Sequence, residues 1–311
     1  MIKNIIRISI SCLLLVYFSF KVNWQVIRAA FLEIDIFYYV VSTIIATSGG
    51  CFIAWKYHLL LRGTPLSLSV RRLMVIQSIS RFYALFLPSA LGPEAVRWYK
   101  VTKAKKGKSF FFAATVYERL LFLLALLGAG MVPLFFYTRH PGLILLRNRI
   151  LPVVLCCTAL MIVALLYLLL PPFHESVKRL LKKLLRVQAG GRMDLLLENL
   201  ALKDRSAALF IRLLFLTLCW QAVFVLRIYF LFAAMDLGFR VGEAAWMGSL
   251  VMLLQVLPIS FAGLGVRDGA YAYLFALYGA APEKGVLIGI LFFTQMLVFS
   301  LSGAIFNLFE K

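Results

Sequence analysis

Long apolar runs separated by short polar segments make up most of this chain. A helix needs about 20 predominantly apolar residues to cross the hydrocarbon core of a bilayer. By that measure the pattern predicts six spanning helices: Ile5–Phe20, Phe37–Leu61, Ala113–Tyr137, Ile150–Leu170, Ala207–Ala234 and Val286–Phe309. The sequence therefore predicts an all-α polytopic membrane protein, with residues 1–311 forming a single transmembrane domain.

Two further apolar stretches, Leu73–Leu91 and Ala244–Tyr278, are interrupted by helix-breaking residues. The first stretch ends at a break with Pro88, Gly92 and Pro93, and the second contains a break with Pro258, Gly263 and Gly265. Lys and Arg collect in cytoplasmic loops, and most of those in this chain fall on one side if both stretches are re-entrant hairpins. We therefore predict eight membrane segments, six spans plus two re-entrant hairpins, with both termini in the cytoplasm.

The predicted order of segments is the same in both halves of the chain. Each half has two spans, then a hairpin, then a span, and the halves start from opposite faces. Pro88 and Pro258, 170 residues apart, occupy equivalent places. This predicts inverted repeats at residues 1–140 and 150–311, joined by a basic amphipathic connector at residues 171–206. Inverted repeats with broken helices near the midplane are typical of transporters.

Composition supports the membrane assignment and points to the partner. The chain is 63% hydrophobic, and its 33 Lys and Arg against 13 Asp and Glu give a net charge of +20. Such an excess favours anionic lipid head groups, whereas the basic soluble module expected of a nucleic-acid binder is missing from the pattern. The three His residues stand apart from one another and from Cys, so we expect no metal site and no cofactor.

Charged residues follow the first break directly. A helix that starts at Pro93 would point its positive end into the protein, where it suits a phosphate. Glu94 and Arg97 stand at an i, i+3 spacing. Three interpretations are open: a structural ion pair, a pair separated by substrate, or a proton-linked carboxylate beside a phosphate-binding Arg97.

Other charged residues inside predicted membrane segments are candidates for binding substrate. Charges are costly in a membrane, so function is a reasonable hypothesis for each. A structural interpretation stands beside it, as a neutralised adjacent pair or as a side chain that reaches the interface. The candidates are Arg267 and Asp268 after the second break, Glu118 and Arg119 near the cytoplasmic start of a span, and Arg81, Arg212 and Arg227.

These motifs carry a family resemblance. The segment PSALGPEAVRWYKV resembles the pattern P-S-x-x-G-G-D-x-x-R, with Pro93 and Glu94 replacing Gly and Asp. The segment LPISFAGLGVRDGAY resembles P-x-x-x-G-G-L-G-x-R-E, with Ala262 and Asp268 replacing Gly and Glu. Both patterns, together with the Glu118–Arg119 pair, are similar to those of the lysylphosphatidylglycerol synthase transmembrane region family, also called flippase-like domain proteins.

The resemblance implies an inner-membrane protein that moves a lipid or lipid-linked head group between leaflets. Its best-known members also carry a soluble aminoacyl-transfer domain, and we expect only the flippase-like part here. The implied partner is an anionic phospholipid or a polyprenyl-phosphate-type lipid. Two alternatives are open: a membrane enzyme of lipid or lipid-linked sugar metabolism that uses Glu94, Glu118 or Asp268 as acid or base, and a non-catalytic lipid-binding partner.

Overall fold

The structure is a computed structural model that describes residue 28 and residues 31–85, 92–103, 108–137, 141–169, 207–256 and 265–309. Its helices are α1 (Ile36–Leu61), α2 (Val70–Tyr83), α3 (Gly92–Thr102), α4 (Lys108–Ala125), a π-helical turn (Leu126–Gly130), α5 (Pro133–Tyr137), α6 (Pro141–Leu169), α7 (Ala207–Ala234), α8 (Val241–Val256), α9 (Val266–Leu277) and α10 (Pro282–Phe309). No strand occurs in the part described, and the all-α prediction is confirmed.

Four segments of the described chain are long and apolar enough to cross a membrane: Ile36–Leu61, Lys108–Phe136, Ala208–Ala234 and Pro282–Phe309. The protein is therefore a multi-pass membrane protein, as predicted. Helix α6 begins at Pro141, ahead of the predicted Ile150, because arginines at 147 and 149 break the apolar run without breaking the helix. The predicted span Ile5–Phe20 and the connector at 171–206 lie outside the described residues.

Each interruption separates two short helices. Helices α2 and α3 have 14 and 11 residues, and α8 and α9 have 16 and 12. At about 1.5 Å per residue, none of them reaches across a hydrocarbon core roughly 30 Å thick. Pro93 lies in the first turn of α3, as predicted. Pro88, Pro258 and Gly263 lie outside the described residues.

Helices α1 and α7 pack against each other in antiparallel fashion, and their contacts recur every seven residues. The successive pairs are Asp35 with Ala234, Ser42 with Arg227, and Gly49 with Trp220. A seven-residue recurrence is expected where two helices cross at a shallow angle. This antiparallel pair links the first half of the bundle to the second.

Glycines set how closely α10 approaches its neighbours. A Cβ added at Gly285 would lie 2.2 Å from the backbone nitrogen of Ala272 in α9. One added at Gly303 would lie 2.1 Å from the carbonyl oxygen of Ser78 in α2. Small residues at membrane helix contacts allow backbones to approach in this way. Helix α10 therefore holds both α9 and α2 at backbone contact distance.

The first half has an equivalent contact at its π-helical turn. A Cβ added at Gly130 would lie 2.0 Å from the hydroxyl oxygen of Ser249 in α8. Gly130 thus meets a serine of the second interrupted stretch, as Gly303 meets a serine of the first. Each interrupted stretch is packed against the last long helical segment of the other half.

We expect Gly285→Ala to destabilise the protein. The added methyl meets backbone atoms of α9, so the helices must separate, and such overpacking costs about 1–3 kcal/mol. Thermal unfolding in detergent micelles measures the loss as a lowered Tm.

Gly49→Ala is the matched control, because its new Cβ would sit in ordinary contact, 3.6 Å from Trp220. An equal Tm for the two variants would contradict close backbone packing between α9 and α10.

Candidate functional site

A buried ion pair joins α1 to α4. Nζ of Lys56 lies 2.7 Å from Oε1 of Glu118. Lys56 is 0% exposed and Glu118 is 8% exposed. Glu118 also lies within electrostatic range of Arg97 and Arg119. The carboxylate is therefore surrounded by three cations, one of which it binds directly.

Glu94 pairs with a residue other than the one its spacing suggested. Its Oε1 lies 2.6 Å from Nη2 of Arg119 on α4, and both side chains are half-buried. Residues three positions apart lie about 60° from each other around the helix axis. Glu94 can therefore reach α4 while Arg97 reaches Tyr57 on α1. In this structure the intrahelical Glu94–Arg97 pair is replaced by an ion pair between α3 and α4.

Arg97 packs against an aromatic ring instead of a carboxylate. Its Nη1 donates to the hydroxyl of Tyr57 at 3.1 Å, and the guanidinium carbon lies 5.1 Å from the ring centroid. The residue is 8% exposed, and its Nε has no hydrogen-bond partner. No described carboxylate is within ion-pair distance. Arg97 is thus a buried cation that forms no direct ion pair with a described residue.

Arg267 and Asp268 form an adjacent pair at the start of α9. Nε of Arg267 lies 3.2 Å from Oδ1 of Asp268, and its Nη2 donates to the carbonyl of Gly289 at 2.9 Å. Oδ2 of Asp268 accepts from the backbone nitrogen of Gly265 at 3.0 Å, which caps the helix. Gly265 has φ +79°, a conformation that favours glycine. Asp268 therefore fixes the helix start and neutralises Arg267.

Arg227 has a neutral acceptor. Its Nε and Nη2 donate to Oε1 of Gln295 at 2.9 and 2.7 Å. The amide nitrogen of Gln295 donates to the hydroxyls of Ser42 and Thr43, which orients the amide oxygen toward Arg227. The Arg227 guanidinium also lies 4.4 Å from the ring centroid of Phe292. Arg227 is held in place, and its positive charge is kept.

Arg81 connects the two groups of cations. It lies within electrostatic range of both Arg97 and Arg227, and Arg227 in turn lies within range of Arg267. No described residue accepts a hydrogen bond from the Arg81 guanidinium, which packs beside Gly50 and the ring of Phe299. Arg97, Arg81, Arg227 and Arg267 thus form a row in which each arginine is within electrostatic range of the next.

A cavity of about 310 Å³ is bordered by three of the four arginines of this row. Arg81, Arg227 and Arg267 line it together with aromatic and thioether side chains, among them Phe292 and Phe299. No carboxylate is among its described lining residues. A water-accessible space walled by guanidinium groups and aromatic rings can hold an anion that carries an apolar tail.

The structure brings most of the predicted residues into this region. Arg81, Arg97, Arg267 and Arg227 lie along the row, and Glu118, Arg119 and Glu94 flank its first-half end. Gly92 and Pro93 form the start of α3, and Gly265 and Asp268 form that of α9. Arg212, by contrast, is exposed on α7, away from the cavity.

Sequence reasoning missed Lys56, Tyr57 and Gln295. Lys56 is the only Lys, Arg, Asp or Glu in the predicted span Phe37–Leu61, which was a usable signal. Its place near the end of the span also fitted a side chain reaching the interface. Tyr57 and Gln295 gave no signal, because polar aromatic and amide residues recur throughout the apolar runs.

We expect Lys56→Met and Glu118→Leu each to destabilise the protein strongly. Either change leaves one buried charge without its partner, which costs about 3–5 kcal/mol. Equilibrium unfolding in mixed micelles measures the loss.

The double variant Lys56→Met/Glu118→Leu is the control, since it removes both charges and should recover most of that stability. Additive losses in the double variant would show that the pair contributes nothing beyond the two separate side chains.

Comparison with known proteins assigns the chain to a family. A search of curated proteins and a search of solved structures give no significant match. A family model, that of the lysylphosphatidylglycerol synthase TM region, matches residues 4–303, which include both interrupted stretches and the row of arginines. The prediction from the two Pro/Gly motifs is confirmed, and the chain belongs to the lysylphosphatidylglycerol synthase transmembrane region family.

Proposed function

We propose that the protein is a flippase-like transporter that moves an anionic lipid head group between the leaflets of the cytoplasmic membrane. One observation carries the proposal. Arg97, Arg81 and Arg227 lie inside a bundle of apolar helices, and none has a carboxylate partner among the described residues. The family membership supports a lipid as the transported molecule.

The cost of charge in a membrane makes this arrangement informative. A cation in a membrane interior is usually paired with a carboxylate or lines a water-filled path. Lys56, Arg119 and Arg267 have carboxylate partners, whereas the other three arginines contact aromatic rings, a hydroxyl and an amide. A transported anion would supply the missing charge, and it would do so only while it is bound.

We also propose that residues 1–140 and 150–311 are inverted repeats. Three kinds of feature recur at nearly the same interval in the two halves. The first is an arginine on the second short helix of each half, Arg97 and Arg267. The second is a cation on one long helix bound to an acceptor on the last long helix of the same half, Lys56–Glu118 and Arg227–Gln295. The third is a close glycine–serine contact, Gly130–Ser249 and Gly303–Ser78. The antiparallel packing of α1 on α7 fits opposite orientations in the membrane.

In this mechanism the head group moves along the arginines while its apolar chain stays in lipid. It enters at the cluster around Arg97, passes Arg81, and reaches Arg227 and Arg267. Exchange of conformation between the two repeats would open first one end and then the other. In this proposal the basic residues between positions 100 and 108 lie on the cytoplasmic side, where they would collect anionic lipids. We also propose that both termini and the connector at 171–206 lie in the cytoplasm.

We expect Arg97→Gln and Arg81→Gln to slow head-group translocation about tenfold or more, because each removes a charge-assisted contact to the moving anion. Proteoliposomes that contain fluorescently labelled anionic phospholipid, assayed by the fraction protected from an external quencher, give the rate.

Arg212→Gln is the control, since Arg212 is an exposed arginine on the same bundle. Unchanged rates in both site variants, with folded protein, would remove the arginines from the mechanism. Tight lipid binding by the wild-type protein without translocation would favour a lipid-binding partner, and a chemically altered lipid would favour an enzyme.

A further inference from the structure

We propose that the arginine-lined cavity selects a dianionic head group, a phosphomonoester or a diphosphate on a lipid, over the monoanionic phosphodiester of common phospholipids. The inference rests on the proposed function for the role of the cavity in transport. The binding preference itself follows from the charges and donors around the cavity, and it can be measured without transport.

The charge balance is the first argument. The described lining residues include three guanidinium groups and no carboxylate. Among the described residues, Asp268 is the one carboxylate bound to any of the three, and it neutralises Arg267. Three positive charges and one negative charge leave two positive charges, which two negative charges on one head group would balance.

The difference between the two halves supports this balance. In the first half the cation on α1 is neutralised by a carboxylate, Glu118. In the second half the equivalent acceptor on α10 is the amide of Gln295, which is 0% exposed and fixed by two hydroxyls. A glutamate at position 295 would accept the same hydrogen bonds from Arg227 and cancel its charge. The glutamine therefore keeps the second positive charge available.

The unused donors match a phosphate with several terminal oxygens. Arg227 and Arg267 each donate through Nε and Nη2, and their Nη1 atoms have no partner among the described residues. The Arg81 guanidinium, with five N–H groups, donates to no described residue. A phosphomonoester offers three terminal oxygens to these donors, and a phosphodiester offers two.

The size and walls of the cavity fit a head group followed by an apolar chain. About 310 Å³ is at the lower end for ligand pockets, so the head group enters and the chain remains outside. Phe292, Phe299 and Met296 line the same cavity and can contact the first carbons of that chain.

Binding to the purified full chain in a neutral detergent tests the inference. The probes are dihexanoyl phosphatidic acid, dihexanoyl phosphatidylglycerol and inorganic phosphate, titrated calorimetrically at pH 8, where a phosphomonoester is doubly charged. We expect phosphatidic acid to bind about tenfold or more tightly than phosphatidylglycerol, because of the added charge-assisted hydrogen bond.

Two variants address the cause of the preference. Gln295→Glu cancels the charge of Arg227, and Arg81→Gln removes a guanidinium that no described hydrogen bond holds. Each should reduce the affinity for phosphatidic acid about tenfold or more and leave phosphatidylglycerol much less affected. Arg212→Gln should change neither affinity. A Tm measurement verifies that every variant is folded.

Equal affinities for the two lipids would overturn the inference, and so would an unchanged preference in a folded Arg81→Gln protein. If inorganic phosphate binds as tightly as phosphatidic acid, the ligand of the cavity is a free anion and not a lipid. Selective binding of phosphatidic acid without translocation in proteoliposomes would contradict the proposed transport and support the binding preference. Equal translocation of both lipids would support the proposed transport and contradict the preference.

Discussion

A charged side chain inside a membrane bundle needs a partner, because hydrocarbon offers it neither water nor counterions. In this protein that requirement organises the contacts between α1, α3 and α4. Lys56 with Glu118 and Arg119 with Glu94 are pairs that cross from one helix to another, so each ion pair also fixes a helix position. Arg97 belongs to neither pair. The ring and hydroxyl of Tyr57 hold its guanidinium in place without cancelling its charge.

The contact between α9 and α10 depends on a missing side chain. Gly289 has no Cβ, and one added there would lie 1.8 Å from Oδ1 of Asp268. That space admits the Asp268 carboxylate and lets Arg267 reach the Gly289 carbonyl, so the start of α9 can sit directly on α10. Close helix packing and the placement of charge are therefore linked, since a larger residue at position 289 would move the helix start and the guanidinium together.

The two halves resemble each other in layout and differ in how one buried cation is bound. Lys56 in the first half binds a carboxylate, and the equivalent Arg227 in the second half binds an amide. The carboxylate cancels the charge of Lys56, whereas the amide leaves the charge of Arg227 in place. The two equivalent positions therefore present a different local charge to an anion.

The sequence by itself determined the all-helical membrane fold, the family, and the two places where an apolar run breaks into short helices. These follow from local properties: the length of apolar runs, the missing N–H of proline and the conformational freedom of glycine. It also identified most of the charged residues of the candidate site, since a charge within an apolar run can be read directly from the sequence. The partners were decided by tertiary structure. Glu94 had an arginine three residues away and binds Arg119 instead, and Lys56 finds its carboxylate 62 positions later. Pairing depends on which helix faces meet, and that is set by packing across the whole bundle.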